Sequence, residues 1–82
     1  MKHDSLVEKF ISVDPAVCHG KPCLSGTRVM VYQILEHIEA GENFREVRQH
    51  YPKITSNHIR AAIRYAAALT RDQEYISFNE AS

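Results

Sequence analysis

The sequence predicts a mainly α fold, with a short N-terminal β-strand or hairpin followed by a three-helix, helix-turn-helix unit. Three observations lead there. Val31, Ile34, Leu35 and Ile38 repeat with helical period. A stretch free of Gly and Pro, rich in Ala, runs from Ser56 to about Asp72. The residues Phe10-Ile11-Ser12-Val13 are short, apolar and partly β-branched, and Asp14-Pro15 stops them, so they read as a strand.

The elements follow in order. Between Cys18 and Val31 stand Gly20, Pro22 and Gly26, with Cys23-Leu24 and Val29 flanking Ser25-Gly26. That composition predicts a tight hairpin or bulged turn, with Gly26 at positive φ. The first predicted helix carries the Val31 to Ile38 stripe and ends at Gly41, a left-handed cap. Asn43 caps a second, short helix, with Glu46 three residues on as its box partner. Phe44, Val47 and Tyr51 form its buried side, and Pro52 ends it. After the turn Tyr51-Pro52-Lys53-Ile54, Thr55 is the N-cap of the third helix, and Ile54 staples onto Ile59 across it.

The 82 residues make one domain: a β arm at about 8–30, the helix-turn-helix at about 31–72, and a tail at 73–82. A chain this short buries only about 60% of its unfolded surface, so self-association is the natural way to bury more. With 44% hydrophobic residues and no apolar run near the span length, a membrane helix is excluded. The N-terminus lacks an apolar signal-peptide core, so the cytoplasm is the expected location.

Net charge is zero, yet the charge is segregated. Asn43 to Arg71 holds Arg45, Arg48, Lys53, Arg60, Arg64 and Arg71 against one acid, Glu46, a net +5 that leaves −5 on the rest. At about 100° per residue, Ile59, Ala62, Ile63, Ala66 and Leu69 share one side of the third helix. Ser56, Asn57, Arg60, Arg64 and Arg71 share nearly the opposite side. A solvated helix face accounts for an arginine or two, but neutral faces normally intersperse Glu.

Two short helices joined by a tight turn, the second basic on its outer face, match a unit that lays its second helix in the major groove of double-stranded DNA. On that reading Ser56, Asn57 and Arg60 reach base edges, Asn pairing with adenine and Arg with guanine. Arg45, Arg48, Lys53, Arg64 and Arg71 then contact phosphates or strengthen the local positive field. The alternative is a protein-interaction module that never touches DNA.

Other sites are weaker. Cys18-His19-Gly20-Lys21-Pro22-Cys23 offers one thiol pair and one His, too few ligands for a closed zinc site, so buried packing thiols are expected and no metal. His37, His50 and His58 lie in different segments, and His58 is expected to flank Tyr65 along its helix. No nucleophile constellation and no Gly-rich phosphate loop is present, so no catalytic residue and no cofactor is expected. The tail carries Tyr75, Ile76 and Phe78, an apolar trio suited either to packing or to a partner protein.

Gly20-Lys21-Pro22, Gly26-Thr27-Arg28, Tyr51-Pro52, Ile54-Thr55, Ile59, Ala61-Ala62 and Tyr65-Ala66 together resemble the domain of unknown function 433 family, over about Ile11 to Leu69. The resemblance implies a homeodomain-like, winged-helix-type DNA binder of prokaryotic origin that forms a dimer. It further implies an antitoxin of a type II toxin–antitoxin pair, acting on its own promoter and on a PIN-like nuclease toxin. The family often has Gly where His19 stands, Pro where Met30 stands, and aliphatic residues at Cys18 and Cys23. Gly20, Pro22, Gly26, Thr27 and Arg28 are expected to build the turn. Thr27 and Arg28 would either hold it through hydrogen bonds or face a partner, the structural role being favoured because acidic Glu residues lie near Arg28.

Overall fold

The computed structural model describes residues 4–71. Helix α1 spans Ser5–Phe10, strands β1 and β2 span Ile11–Ser12 and Cys23–Leu24, and helices α2, α3 and α4 span Val31–Glu39, Phe44–His50 and Ser56–Arg71. The architecture is thus mainly helical with a small antiparallel hairpin sheet ahead of the last three helices, in which Ile11 pairs with Leu24 and Ser12 with Cys23.

Helix α1 is a departure from expectation. Phe10 ends a helix instead of opening a strand, and only Ile11 and Ser12 remain extended. Asp4 caps it by accepting the Val7 N–H at 3.3 Å. Six residues are far too few for a helix to persist in water. Its contacts with α4, and Val7 buried in the shared core, supply what local propensity lacks.

Beyond Asp14-Pro15 the chain makes a left-handed turn over Cys18–Gly20, with φ of 53°, 56° and 79°. Two of those three residues carry a Cβ, and each costs about 1–2 kcal/mol in that conformation. Next, Thr27 closes the turn after β2. Its hydroxyl donates to the Leu24 carbonyl at 2.8 Å and accepts the Val29 N–H at 3.0 Å. Gly26 sits within this turn at φ 80°. Gln33 Oε1 accepts the Met30 N–H at the start of α2, while the Val31 N–H donates to the Pro22 carbonyl.

Gly41, at φ 94°, ends α2 in a Schellman closure. Its N–H donates to the Ile38 carbonyl at 2.9 Å, and the Glu42 N–H donates to the His37 carbonyl at 3.1 Å. Asn43 and Glu46 form the reciprocal box that opens α3, both bonds at 2.8 Å.

The core gathers Val7, Ile11, Leu24, Val31, Ile34, Val47, Ile54, Ile59, Ala61 and Ala62 from every element. Here α4 differs from its sequence reading. Ala61 and Ala68 are buried, whereas Ile63 and Leu69 are 37% and 46% exposed. The buried arc is shifted around the helix toward Ala61 and Ala68, roughly 90° from the one hydrophobicity alone predicts, taking about 100° per residue. The cause is α1: small alanines let a second helix approach α4 closely, and that contact buries their side instead of Ile63.

Candidate nucleic-acid interface

The short helix α3, a tight turn and the sixteen-residue helix α4 frame the site. Val47 and Ile59 are fully buried and anchor α3 and α4 to the same core. The connection is closed by the Ile54 N–H donating to the Tyr51 carbonyl at 3.1 Å. Ile54 is itself 4% exposed, so the turn is pinned by burial as well.

Thr55 caps α4, its hydroxyl accepting the His58 N–H at 3.3 Å. His58 completes a box in the place where Glu or Gln is usual, since the Thr55 N–H donates to His58 Nδ1 at 3.1 Å. Nδ1 is then an acceptor, which assigns the ring proton to Nε2 and its bond to the Ser25 carbonyl. The ring also meets Phe10 edge-on at 5.0 Å. His58 therefore faces β2 and α1, not Tyr65.

On the first turns of α4, Ser56 is half-buried while Asn57 and Arg60 are exposed. Arg45 and Arg48 lie one turn apart and exposed on α3, and Lys53 is exposed in the turn. Among the described residues, Arg45, Arg48, Lys53 and Arg60 form no ion pair. Arg64 is placed differently: its Nη1 lies 3.5 Å from Asp4 Oδ1 at the cap of α1. Arg71 is exposed in the last turn of α4. Tyr75, Ile76 and Phe78 lie outside the described residues.

The Gly26-Thr27-Arg28 turn and the Tyr51-Pro52-Lys53-Ile54 turn, distant in sequence, line one open groove of about 800 Å³. Ser12, Asp14, Val17, Val29 and His50 complete its wall. Thr27 holds its own turn, but Arg28 does not. The Arg28 side chain is exposed and forms no hydrogen bond or ion pair among the described residues. No Glu of the described residues pairs with it, and the acidic residues of α2, Glu36 and Glu39, lie further along that helix. Gly20 sits in the left-handed Cys18–Gly20 turn, and Pro22 lies beside Tyr32 and Tyr65 in a smaller groove between α2 and α4.

The family profile described as Protein of unknown function (DUF433) matches residues 11–66, well over half of the sequence. The chain belongs to the DUF433 family. No curated protein and no solved structure matches it. The matched segment of this DUF433 domain begins at β1 and ends within α4. It takes in both turns of the groove and the first turns of α4, and it leaves out α1 and Arg71.

The two thiols of the DUF433 domain differ. Cys23 is 1% exposed, while Cys18 is half-exposed, so only one of the pair is a buried packing residue. The Cys18 Sγ–H donates to the Arg28 carbonyl at 3.5 Å. Desolvation, then a hydrogen bond and the negative field from Cys23, push the Cys18 thiol above its ordinary range, while Arg28 pulls the other way.

A second assembly is invisible in the sequence. His37 at the end of α2, Glu42 in the loop and His50 at the end of α3 present ligand-type atoms within 4.8 Å of one another. The two histidines stand thirteen positions apart, and no local spacing rule relates them. Among the described residues no helix is long and apolar enough to cross a membrane.

Proposed function

We propose that this DUF433 domain is a DNA-binding, antitoxin-like regulator and not an enzyme. It would bind its own promoter as a dimer through α4 and neutralise a PIN-like nuclease toxin through another surface. The observation that carries the DNA reading is the α3–turn–α4 unit. It offers Asn57 and Arg60 on the exposed first turns of α4, with unpaired Arg45, Arg48 and Lys53 on the helix and turn before them. In such a unit the start of the second helix meets base edges and surrounding cations meet phosphates. The toxin and the promoter rest on the family resemblance alone.

Dimerisation is supported by apolar surface that a single copy leaves uncovered. Tyr32 and Leu69 are 47% and 46% exposed, and with Leu35, Tyr65 and Ala66 they line the groove between α2 and α4.

The test is a gel shift with the fragment upstream of the gene, run at several salt concentrations. Salt-sensitive binding at or below micromolar protein is expected, and its absence removes the DNA reading. The protein-interaction reading then stands on the groove between the Gly26–Arg28 and Tyr51–Ile54 turns. Its size suits side chains of a partner, and Arg28 and Lys53 on its wall would favour an acidic one.

A further inference from the structure

We propose that His37, Glu42 and His50 form a binding site for a divalent transition-metal ion of the zinc class, clamping the end of α2 to the end of α3. The backbone prepares it. The Schellman closure fixes Glu42 directly after the last turn of α2, where its carboxylate returns to His37. Glu42 Oε1 lies 3.0 Å from His37 Nδ1 and 3.1 Å from His50 Nε2. Adjacent ligands of a tetrahedral ion with bonds of about 2.0–2.1 Å stand roughly 3.3 Å apart, so two edges of the site are close to formed.

The carboxylate itself asks for a cation. Oε1 is shielded from solvent and accepts no hydrogen bond, because neither imidazole N–H is aligned on it. Only Oε2 does so, from His50 Nε2 at 3.3 Å. A metal ion would replace two misaligned contacts by two bonds. His37 and His50 each bring a nitrogen close to the same oxygen, and because their rings stack at 4.5 Å with 24° between planes, one ring must turn out of the stack for both lone pairs to meet one ion. Tyr51 supplies the outer support: its hydroxyl lies 3.2 Å from His37 Nε2, the nitrogen facing away from Glu42. A ligating His is normally held in this way through its other nitrogen.

The donor set decides the ion. Two imidazoles and one carboxylate suit zinc, nickel or copper, whereas calcium and magnesium require oxygen ligands throughout. Half-exposed His50 leaves a side open to water for a fourth ligand. Since the clamp joins α2 to α3 just before the Tyr51–Ile54 turn, the bound ion would stabilise the first half of the α3–turn–α4 unit.

The experiment uses the full chain without a histidine tag, titrated with Zn²⁺ by calorimetry and with Co²⁺ by visible absorption. One ion per chain is expected, with tetrahedral-type cobalt bands and no thiolate charge-transfer band. Saturating Zn²⁺ should raise the melting temperature by at least about 5 °C, an effect that chelator reverses. Glu42→Gln and His50→Ala should each weaken binding by at least about tenfold while folding normally, since Gln keeps the size and shape of the part-buried Glu42 side chain and His50 is exposed. Cys18→Ser/Cys23→Ser should bind as the parent does. No binding at about millimolar Zn²⁺, or full affinity in both Glu42→Gln and His50→Ala, or loss of binding in the double Ser variant, would each overturn the assignment.

Discussion

His58 Nε2 lies 3.1 Å from the carbonyl oxygen of Ser25, so the first turn of α4 is bonded to the turn that follows β2. The same ring closes the box with Thr55. One side chain therefore both starts the helix and sets its position against the β arm. His58→Ala removes the box, the Ser25 bond and the Phe10 contact together, and should cost about 2–3 kcal/mol. His58→Gln keeps the box but gives up the ring, and should cost about 1 kcal/mol. Denaturant unfolding of both variants checks the ordering; equal losses would mean the box contributes nothing.

Arg60 and Arg64 are expected to separate in their effects on DNA. Arg60→Ala should cost roughly 1–3 kcal/mol of binding and relax specificity, whereas Arg64→Ala should weaken every sequence alike. The Asp4 contact adds a sharper test. Asp4→Asn retains a good helix cap but releases Arg64. The pair is half-exposed and worth at most about 1 kcal/mol to stability. If Arg64 then reaches a phosphate, log affinity against log salt should steepen by about 0.9. An unchanged slope would take Arg64 out of the interface.

His19 stands at φ 56° where a glycine would sit without strain. His19→Gly relieves a cost of about 1–2 kcal/mol and adds an unfolded-state entropy cost of about 0.5–1 kcal/mol. A net gain of about 0.5–1 kcal/mol is expected, seen as a shift of the unfolding midpoint to higher denaturant at unchanged slope. A loss would show that the imidazole makes a contribution larger than its backbone strain.

The two thiols should be distinguishable by alkylation. Cys18 is accessible but its thiolate is disfavoured, so labelling should be slow at pH 7 and accelerate as pH rises through and beyond the ordinary thiol range. Cys23 should label only on unfolding. The linkage has a definite sign. A thiol held above its unfolded value binds its proton more tightly in the native state, so stability is complete below the unfolded pKa. It is lost as pH rises toward the raised native value. Stability that increased across that window would contradict the shift.

Much of this molecule is local and was legible from spacing alone. Gly41 ends α2, the Asn43/Glu46 box opens α3, and Thr55 opens α4, because each signal acts between residues no more than five apart. What the sequence could not determine depends on which elements dock. Helix α1 exists through its packing on α4, and that same packing turns Ala61 and Ala68 inward and leaves Ile63 exposed. Arg64 is drawn to Asp4 across sixty positions of sequence. His37 and His50 stack, and the Gly26–Arg28 turn meets the Tyr51–Ile54 turn, only once α2 and α3 close on the core. Hydrogen-bond caps and helical period are written in near neighbours, whereas side-chain convergence is a consequence of burying one shared core, and only the tertiary structure decides it.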